Sequence, residues 1–83
     1  MKVRIKLYAS LAEYLPTDAV NNEADLEVSE KATPTQMILR LGLPEKMCHM
    51  VLINGVYIAP DERGRTSLEA GYHLAIWPPV AGG

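Results

Sequence analysis

The side chains of this sequence that could carry out chemistry are few and scattered. Nucleophilic catalysis needs a thiol or hydroxyl beside a general base, with a third group that orients the base. Cys48 is the one cysteine, and His49 is the only neighbour that could activate it. Because adjacent residues of a strand point to opposite faces, the pair predicts a structural cysteine rather than a catalytic one.

The histidines and acidic residues show no metal-binding or acid–base pattern. His49 and His73 have no second histidine or cysteine at the spacing of metal ligands, and the ten acidic residues are scattered. No glycine-rich loop joins a strand to a helix in the way that phosphate-binding loops do. We therefore expect no metal site and no bound cofactor, and we expect that the chain is not itself an enzyme.

The C-terminal segment offers a different kind of chemistry. Its residues are Pro78, Pro79, Val80, Ala81, Gly82 and Gly83. Proline fixes φ and has no N–H, so the last strand should end at Trp77 and the chain should leave it extended, spanning up to about 20 Å. A terminal pair without side chains can enter a narrow channel and present the Gly83 carboxylate to another protein. The alternative is a terminus that frays without function.

Length, composition and charge limit the possible classes of protein. The 83 residues are 48% hydrophobic and 22% charged, which is typical of one small globular domain. The formal net charge of −2 disfavours binding to nucleic acid. No apolar run approaches the roughly 18 residues of a membrane span, and early charged residues interrupt any signal-peptide core. We therefore expect a cytoplasmic protein without a membrane segment.

Apolar and polar residues alternate in several short segments, which is the pattern of half-buried strands. The predicted strands are residues 2–8, 26–28, 49–53, 56–58 and 73–77. The second strand should return antiparallel to the first, and Asn54-Gly55 should form the tight turn of a hairpin. The first and last strands should lie side by side at the centre, where their apolar residues can face a helix together.

One main helix is predicted between the second and third strands. Thr33 is a suitable N-cap, Pro34 occupies the first helical position, and Gln36 completes a capping box. Gly42 supplies the stop. A shorter helical turn should follow Ser10, which we predict as its cap. The order β, β, α, β, β, β indicates an α+β domain in which the helix crosses a mixed sheet of four to five strands.

The sequence resembles the small subunit of molybdopterin synthase, within the ubiquitin-like β-grasp sulfur carriers that also include the carrier of the thiamine pathway. The segments that carry the resemblance are residues 3–7, 32–44, 51–55 and 75–83. They follow the order of the family and span nearly the whole chain. The last of them, Ala-Ile-Trp-Pro-Pro-Val-Ala-Gly-Gly, is the most specific.

The resemblance implies a β-grasp domain over residues 1–77 and a flexible Gly-Gly tail over residues 78–83. It also implies that an E1-like adenylating enzyme uses ATP to activate Gly83, whose carboxylate then becomes a thiocarboxylate, with Gly82 as a slim stem. In the molybdopterin pathway the tail enters the large subunit, which builds the dithiolene of the molybdenum cofactor.

Other functions remain open. Sulfur carriers of thiamine, amino-acid or tRNA thiolation pathways share the fold and the Gly-Gly end. A ubiquitin-like protein modifier would instead join Gly83 to a lysine of a target. A third alternative is a plain interaction domain.

A docking surface is predicted on the sheet face opposite the helix. This face should carry Lys2, Arg4, Lys6, Tyr8, Met50, Leu52, His73, Ala75 and Trp77. We expect an apolar centre with a basic rim, and Trp77 is the strongest candidate because it precedes the tail. The predicted partner-binding residues are Arg4, Leu52, Trp77, Pro78, Pro79, Val80 and Ala81.

Overall fold

A computed structural model of the chain describes residues 1–79. It contains five strands and one α-helix, named in chain order as β1 Lys2–Leu7, β2 Glu23–Glu27, α1 Pro34–Leu41, β3 Met50–Ile53, β4 Val56–Tyr57 and β5 His73–Trp77. Short 3-10 helices occupy Ala9–Tyr14, Glu45–Met47 and Pro60–Glu62. The predicted α+β class is confirmed. Residues 80–83, which include Gly82 and Gly83, lie outside the described residues.

The five strands form one mixed sheet in the order β2-β1-β5-β3-β4. The first and last strands run parallel at its centre, with Ile5 opposite Leu74 and Leu7 opposite Ile76. The other neighbouring strands are antiparallel. The prediction that β1 and β5 lie side by side is confirmed, so the strand that leads into the C-terminal tail is the central strand of the sheet.

The predicted capping box at the start of α1 is present. The Thr33 hydroxyl accepts a hydrogen bond from the Gln36 amide at 3.2 Å, and the Gln36 side chain accepts one from the Thr33 amide at 3.0 Å. Gly42 ends the helix in the left-handed region at φ 75°, where a residue without Cβ is favoured. Within residues 1–79, no helix has both the length and the apolar character needed to cross a membrane.

The predicted cap at Ser10 is wrong. The 3-10 helix already begins at Ala9, after Tyr8, and no side chain caps it. Ala9 adopts a positive φ of 52°, which turns the chain one residue earlier than expected and places Ser10 inside the helix.

The core lies between α1 and the inner face of the sheet. Ile5, Leu7, Leu74 and Ile76 of the two central strands are fully buried, and Met37 of α1 is 2% exposed. Burial of each such side chain stabilises the fold by about 1.5–3 kcal/mol. The alternation that buries these residues directs their neighbours in β1 and β5 to the outer face.

Candidate functional site at the root of the C-terminal tail

The C-terminal end of β5 is held by the chain on both sides. The Tyr8 amide donates to the Ile76 carbonyl at 3.2 Å, and the His49 amide donates to the Trp77 carbonyl at 3.0 Å. β5 ends at Trp77, as the two prolines predicted. Pro78 is buried and Pro79 is exposed. The chain therefore leaves the sheet from its centre, at a position that is firmly anchored.

Two aromatic side chains stack beside this exit. The rings of Tyr8 and Trp77 lie with their centroids 4.1 Å apart and their planes within 9°, and both residues are half-buried. An aromatic pair of this kind contributes about 0.5–1.5 kcal/mol beyond its buried area. The alternation in the sequence predicts both residues on the outer face but does not pair them. The parallel register of β1 and β5, continued by one residue, brings them together.

The part of the outer face formed by β5, β3 and β4, together with Tyr8 just after β1, is largely apolar, and we call it the apolar half. It consists of Tyr8, Met50, Leu52, Tyr57, Ala75 and Trp77. Leu52 lies between Ala75 and Tyr57 in one row of the sheet, and Met50 lies opposite Trp77. Met50 is 40% exposed and Tyr57 is 51% exposed. The prediction omitted Tyr57, although a two-residue turn at Asn54–Gly55 fixes it opposite Leu52.

The part of the outer face formed by β1 and β2 is charged, and we call it the charged half. Its cross-strand pairs are Lys2 with Glu27, Arg4 with Asp25, and Lys6 with Glu23. Each pair joins opposite charges, which is the stabilising arrangement. The expected basic rim is therefore a ladder of mixed charge, because β2 supplies three carboxylates that the sequence analysis had not matched to β1.

Arg4 is the centre of this ladder. Its Nε and Nη2 donate to the two carboxylate oxygens of Asp25 at 2.9 and 3.1 Å, and its Nη1 donates to Glu23 at 3.1 Å. The hydrogen bonds to Asp25 and then to Glu23 raise the pKa of Arg4. The hydrogen bond from Arg4 likewise lowers the pKa of Asp25. The proposed role of Arg4 in partner binding stays a prediction.

Cys48 has the environment of a structural residue. It is 4% exposed, and its thiol lies 3.5 Å from the Pro44 carbonyl, to which it donates. Burial raises the pKa of the thiol, an effect that the nearby Arg63 partly offsets. A raised pKa keeps the sulfur protonated, and a thiol is a poor nucleophile compared with a thiolate. Among residues 1–79 no three His, Cys, Asp or Glu side chains come together as metal ligands.

Arg63 is a buried charged residue that sequence analysis missed. Its neighbours Asp61, Glu62 and Arg65 are charged and exposed, yet Arg63 is only 8% exposed. Its guanidinium donates to the carbonyls of Ile58, Cys48 and His49. Nothing in the sequence distinguishes it from Arg65, which is exposed and lies 4.0 Å from Glu62.

The structure places three of the predicted partner-binding residues on one face. Leu52 and Trp77 belong to the apolar half, and Arg4 belongs to the charged half. Pro78 and Pro79 follow Trp77 at the exit. The remaining predicted site residues, Val80, Ala81, Gly82 and Gly83, lie outside the described part of the chain.

The five-stranded mixed sheet with one helix across it defines a small ubiquitin-like β-grasp domain, as the resemblance had implied. The model of the ThiS family matches residues 5–83. The chain therefore belongs to the ThiS family, whose members are small sulfur carrier proteins and are not catalysts themselves. A comparison with curated protein sequences gives no match.

Solved structures with the same fold come from an archaeon and a bacterium. The crystal structure of SAMP1 from Haloferax volcanii is 28% identical, has a TM-score of 0.70, and matches over 100% of both chains. The solution structure of the HVO 2177 protein of the same organism is 23% identical, with a TM-score of 0.77, over 100% of this chain and 87% of that one. A chain from the complex of subunits 1 and 2 of Molybdopterin-converting factor from Helicobacter pylori 26695 is 17% identical, with a TM-score of 0.58, over 100% of both. The last two show the fold alone.

Proposed function

We propose that this protein carries sulfur as a thiocarboxylate on Gly83. One observation carries the proposal most directly: the match to the sulfur-carrier family continues through Gly82 to residue 83. The exit of the chain from the centre of the sheet, beside the apolar half, supports it further. No side chain among residues 1–79 offers a competing catalytic or metal site.

The proposed chemistry needs only the terminal carboxylate of the carrier. A free carboxylate is a poor acceptor for a nucleophile. An E1-like adenylating enzyme would join the Gly83 carboxylate to the α-phosphate of ATP and release pyrophosphate. A hydrosulfide donor would then attack the acyl carbon, AMP would leave with the former carboxylate oxygen, and Gly83 would keep a C–S bond. The carrier itself holds no cofactor in this scheme, since ATP is bound by the activating enzyme.

We propose that the apolar half is the surface contacted by the activating enzyme and by the enzyme that later uses the sulfur. Interface centres are enriched in aromatic residues and methionine and depleted of charge. The stacked pair Tyr8 and Trp77 is a preformed platform, and Met50 and Tyr57 present exposed apolar surface beside it. The tail begins at this platform, so a partner that binds here has Gly83 within reach.

We propose molybdopterin biosynthesis as the pathway, with this chain as the small subunit of molybdopterin synthase and its thiocarboxylate used by the large subunit. The Pro-Pro-Val-Ala-Gly-Gly ending supports this choice. The likeness of fold to a chain from the Molybdopterin-converting factor complex is compatible with it. Thiamine, amino-acid and tRNA thiolation are alternative destinations for the same thiocarboxylate.

The carrier function can be tested by intact-mass measurement. The purified chain is incubated with candidate E1-like enzymes from its own genome, ATP and a hydrosulfide donor. The mass should rise by the difference between sulfur and oxygen, and a chain that lacks Gly82 and Gly83 should show no change. If the mass does not increase with any candidate enzyme, the proposed carrier function is wrong.

The pathway can be tested with the loaded protein. Thiocarboxylated chain, a molybdopterin synthase large subunit and cyclic pyranopterin monophosphate should together yield the dithiolene product. Sulfur transfer to a thiazole synthase instead would assign the chain to thiamine biosynthesis. Adducts in cell extracts that resist thiol reagents and depend on Gly83 would identify a protein modifier.

A further inference from the structure

Arg63 joins three separate parts of the fold through its side chain and backbone. Its Nε donates to the Ile58 carbonyl, just after β4, at 3.0 Å. Its Nη1 and Nη2 donate to the carbonyls of Cys48 and His49, just before β3, at 2.9 and 3.3 Å. Its own carbonyl accepts from the Thr35 amide in the first turn of α1, at 3.1 Å. The guanidinium is thus held at a fixed position.

One of these contacts leads directly to the tail. The Cys48 carbonyl and the His49 amide belong to the same peptide group. Arg63 donates to the carbonyl end of this group, and the amide end donates to the Trp77 carbonyl at 3.0 Å. Hydrogen bonds in series polarise one another, and a charged donor strengthens the series. The buried cation therefore reinforces the bond that anchors Trp77.

Among residues 1–79, the Trp77 carbonyl is the last backbone carbonyl of the chain that accepts a backbone hydrogen bond. It belongs to the peptide group that joins Trp77 to Pro78, and this group has no N–H because its nitrogen is the proline nitrogen. Its carbonyl is therefore its only backbone hydrogen-bonding atom. The direction of this peptide group sets the direction in which the tail begins.

We propose that Arg63 is a positioning residue for sulfur loading, acting through the Cys48–His49 peptide group on the Trp77 carbonyl and so on the direction of the tail. This inference rests on the proposed carrier function. Besides the three carbonyls, Arg63 lies over the ring of Tyr57, whose centroid is 5.9 Å from the guanidinium carbon. Its effect is on how often Gly83 reaches the activating site of a docked partner, because a small misplacement of a reacting group is costly in rate.

The test compares Arg63→Lys with the matched control Arg65→Lys, both in the full chain. Lysine keeps the charge but lacks the planar fork that serves several carbonyls at once. Thiocarboxylate formation is measured against carrier concentration, with saturating ATP and hydrosulfide. Arg63→Lys should lower kcat by about tenfold and leave KM within about twofold. Arg65→Lys should change neither constant, because its side chain is 74% exposed.

A spectroscopic measurement separates this role from a merely structural one. In Arg63→Lys the His49 amide resonance should shift upfield and lose hydrogen-exchange protection, while the Ile53 and Leu74 amides keep theirs. A variant that is only less stable would have a lower melting temperature but an unchanged kcat for the folded fraction. Unchanged kcat, or a raised KM with unchanged kcat, would overturn the positioning role.

If Arg63→Lys does not fold, hydrogen exchange measured on the wild-type chain provides the test instead. Its His49 amide should exchange as slowly as the amides of β3 and β5, and rapid exchange would overturn the proposal. Failure of the carrier function is a separate outcome, since it would show as no sulfur on the wild-type chain with any activating enzyme. If the wild-type chain gains sulfur and Arg63→Lys has a normal kcat, only the positioning role of Arg63 is rejected, and the carrier function is not.

Discussion

The two halves of the outer sheet face differ in how completely their side chains are satisfied within the chain. In the charged half, Arg4 uses three guanidinium nitrogens on Asp25 and Glu23. In the apolar half, Met50 and Tyr57 remain 40% and 51% exposed. An ion pair already formed has little to gain from a partner, whereas exposed apolar surface gains from burial. We therefore place the centre of docking on the apolar half.

The two central strands contribute both to the core and to the outer face. β1 presents Arg4 and Lys6 outward in the charged half, and the neighbouring β5 presents Ala75 and Trp77 outward in the apolar half. The difference between the halves arises from β2, which brings carboxylates, and from β3 and β4, which bring apolar residues. One sheet thus has an edge whose charges are paired within the chain and, beside the tail, an exposed apolar surface.

The largest effect should come from removing Gly82 and Gly83. Sulfur loading should be lost completely, because the acceptor carboxylate is then no longer on the Gly-Gly stem. The melting temperature should not change, since neither residue contributes a side chain to the core. Intact mass and thermal unfolding measure the two properties. A truncated chain that still gains sulfur would show that the tail does not carry the function.

The next largest effect is on the free energy of unfolding, when a leucine of the inner face and a leucine of the outer face are each replaced by alanine. Leu74→Ala should destabilise the fold by about 2–5 kcal/mol, because the side chain is fully buried and leaves a cavity. Leu52→Ala, on the half-buried outer face, should cost less than about 1.5 kcal/mol. Urea unfolding gives both free energies. Equal losses would show that Leu52 is a core residue rather than part of a docking surface.

A smaller effect is expected on the affinity for the activating enzyme, when one residue of the apolar half and one residue of the charged half are each replaced by alanine. Trp77→Ala should weaken binding to the activating enzyme by about tenfold or more, as expected of an aromatic at an interface centre. Lys6→Ala, in the charged half, should weaken it by less than about threefold. Calorimetric titration measures both dissociation constants. If Lys6→Ala had the larger effect, docking would centre on the charged half.

The smallest effect is a pH dependence confined to the charged half. Arg4 holds the pKa of Asp25 below its ordinary value of 3.8, so the pair stabilises the folded state fully above that pH. The contribution is lost as pH falls through the lowered pKa. The melting-temperature difference between wild type and Asp25→Asn should therefore be constant near neutrality and shrink in strong acid. A difference that grows on acidification would contradict this assignment.

Local signals in the sequence predicted most of the fold. The capping box of Thr33 and Gln36, the stop at Gly42 and the turn at Asn54–Gly55 involve residues at most a few positions apart. The alternation in β1 and β5 also placed the core side chains correctly. These features depend on neighbouring residues, so they can be recognised without knowing the fold. The Ser10 prediction failed because a positive φ at Ala9 moved the start of the turn.

By itself the sequence determined the class of fold, the end of the last strand at Trp77 and the Gly-Gly ending that the family match includes. Only the tertiary structure decided which residues surround the exit. The stack of Tyr8 on Trp77, the pairing of Arg4 with β2 and the burial of Arg63 join segments far apart in the chain. Their positions depend on strand register and loop packing, and those are set by the whole core rather than by any local pattern.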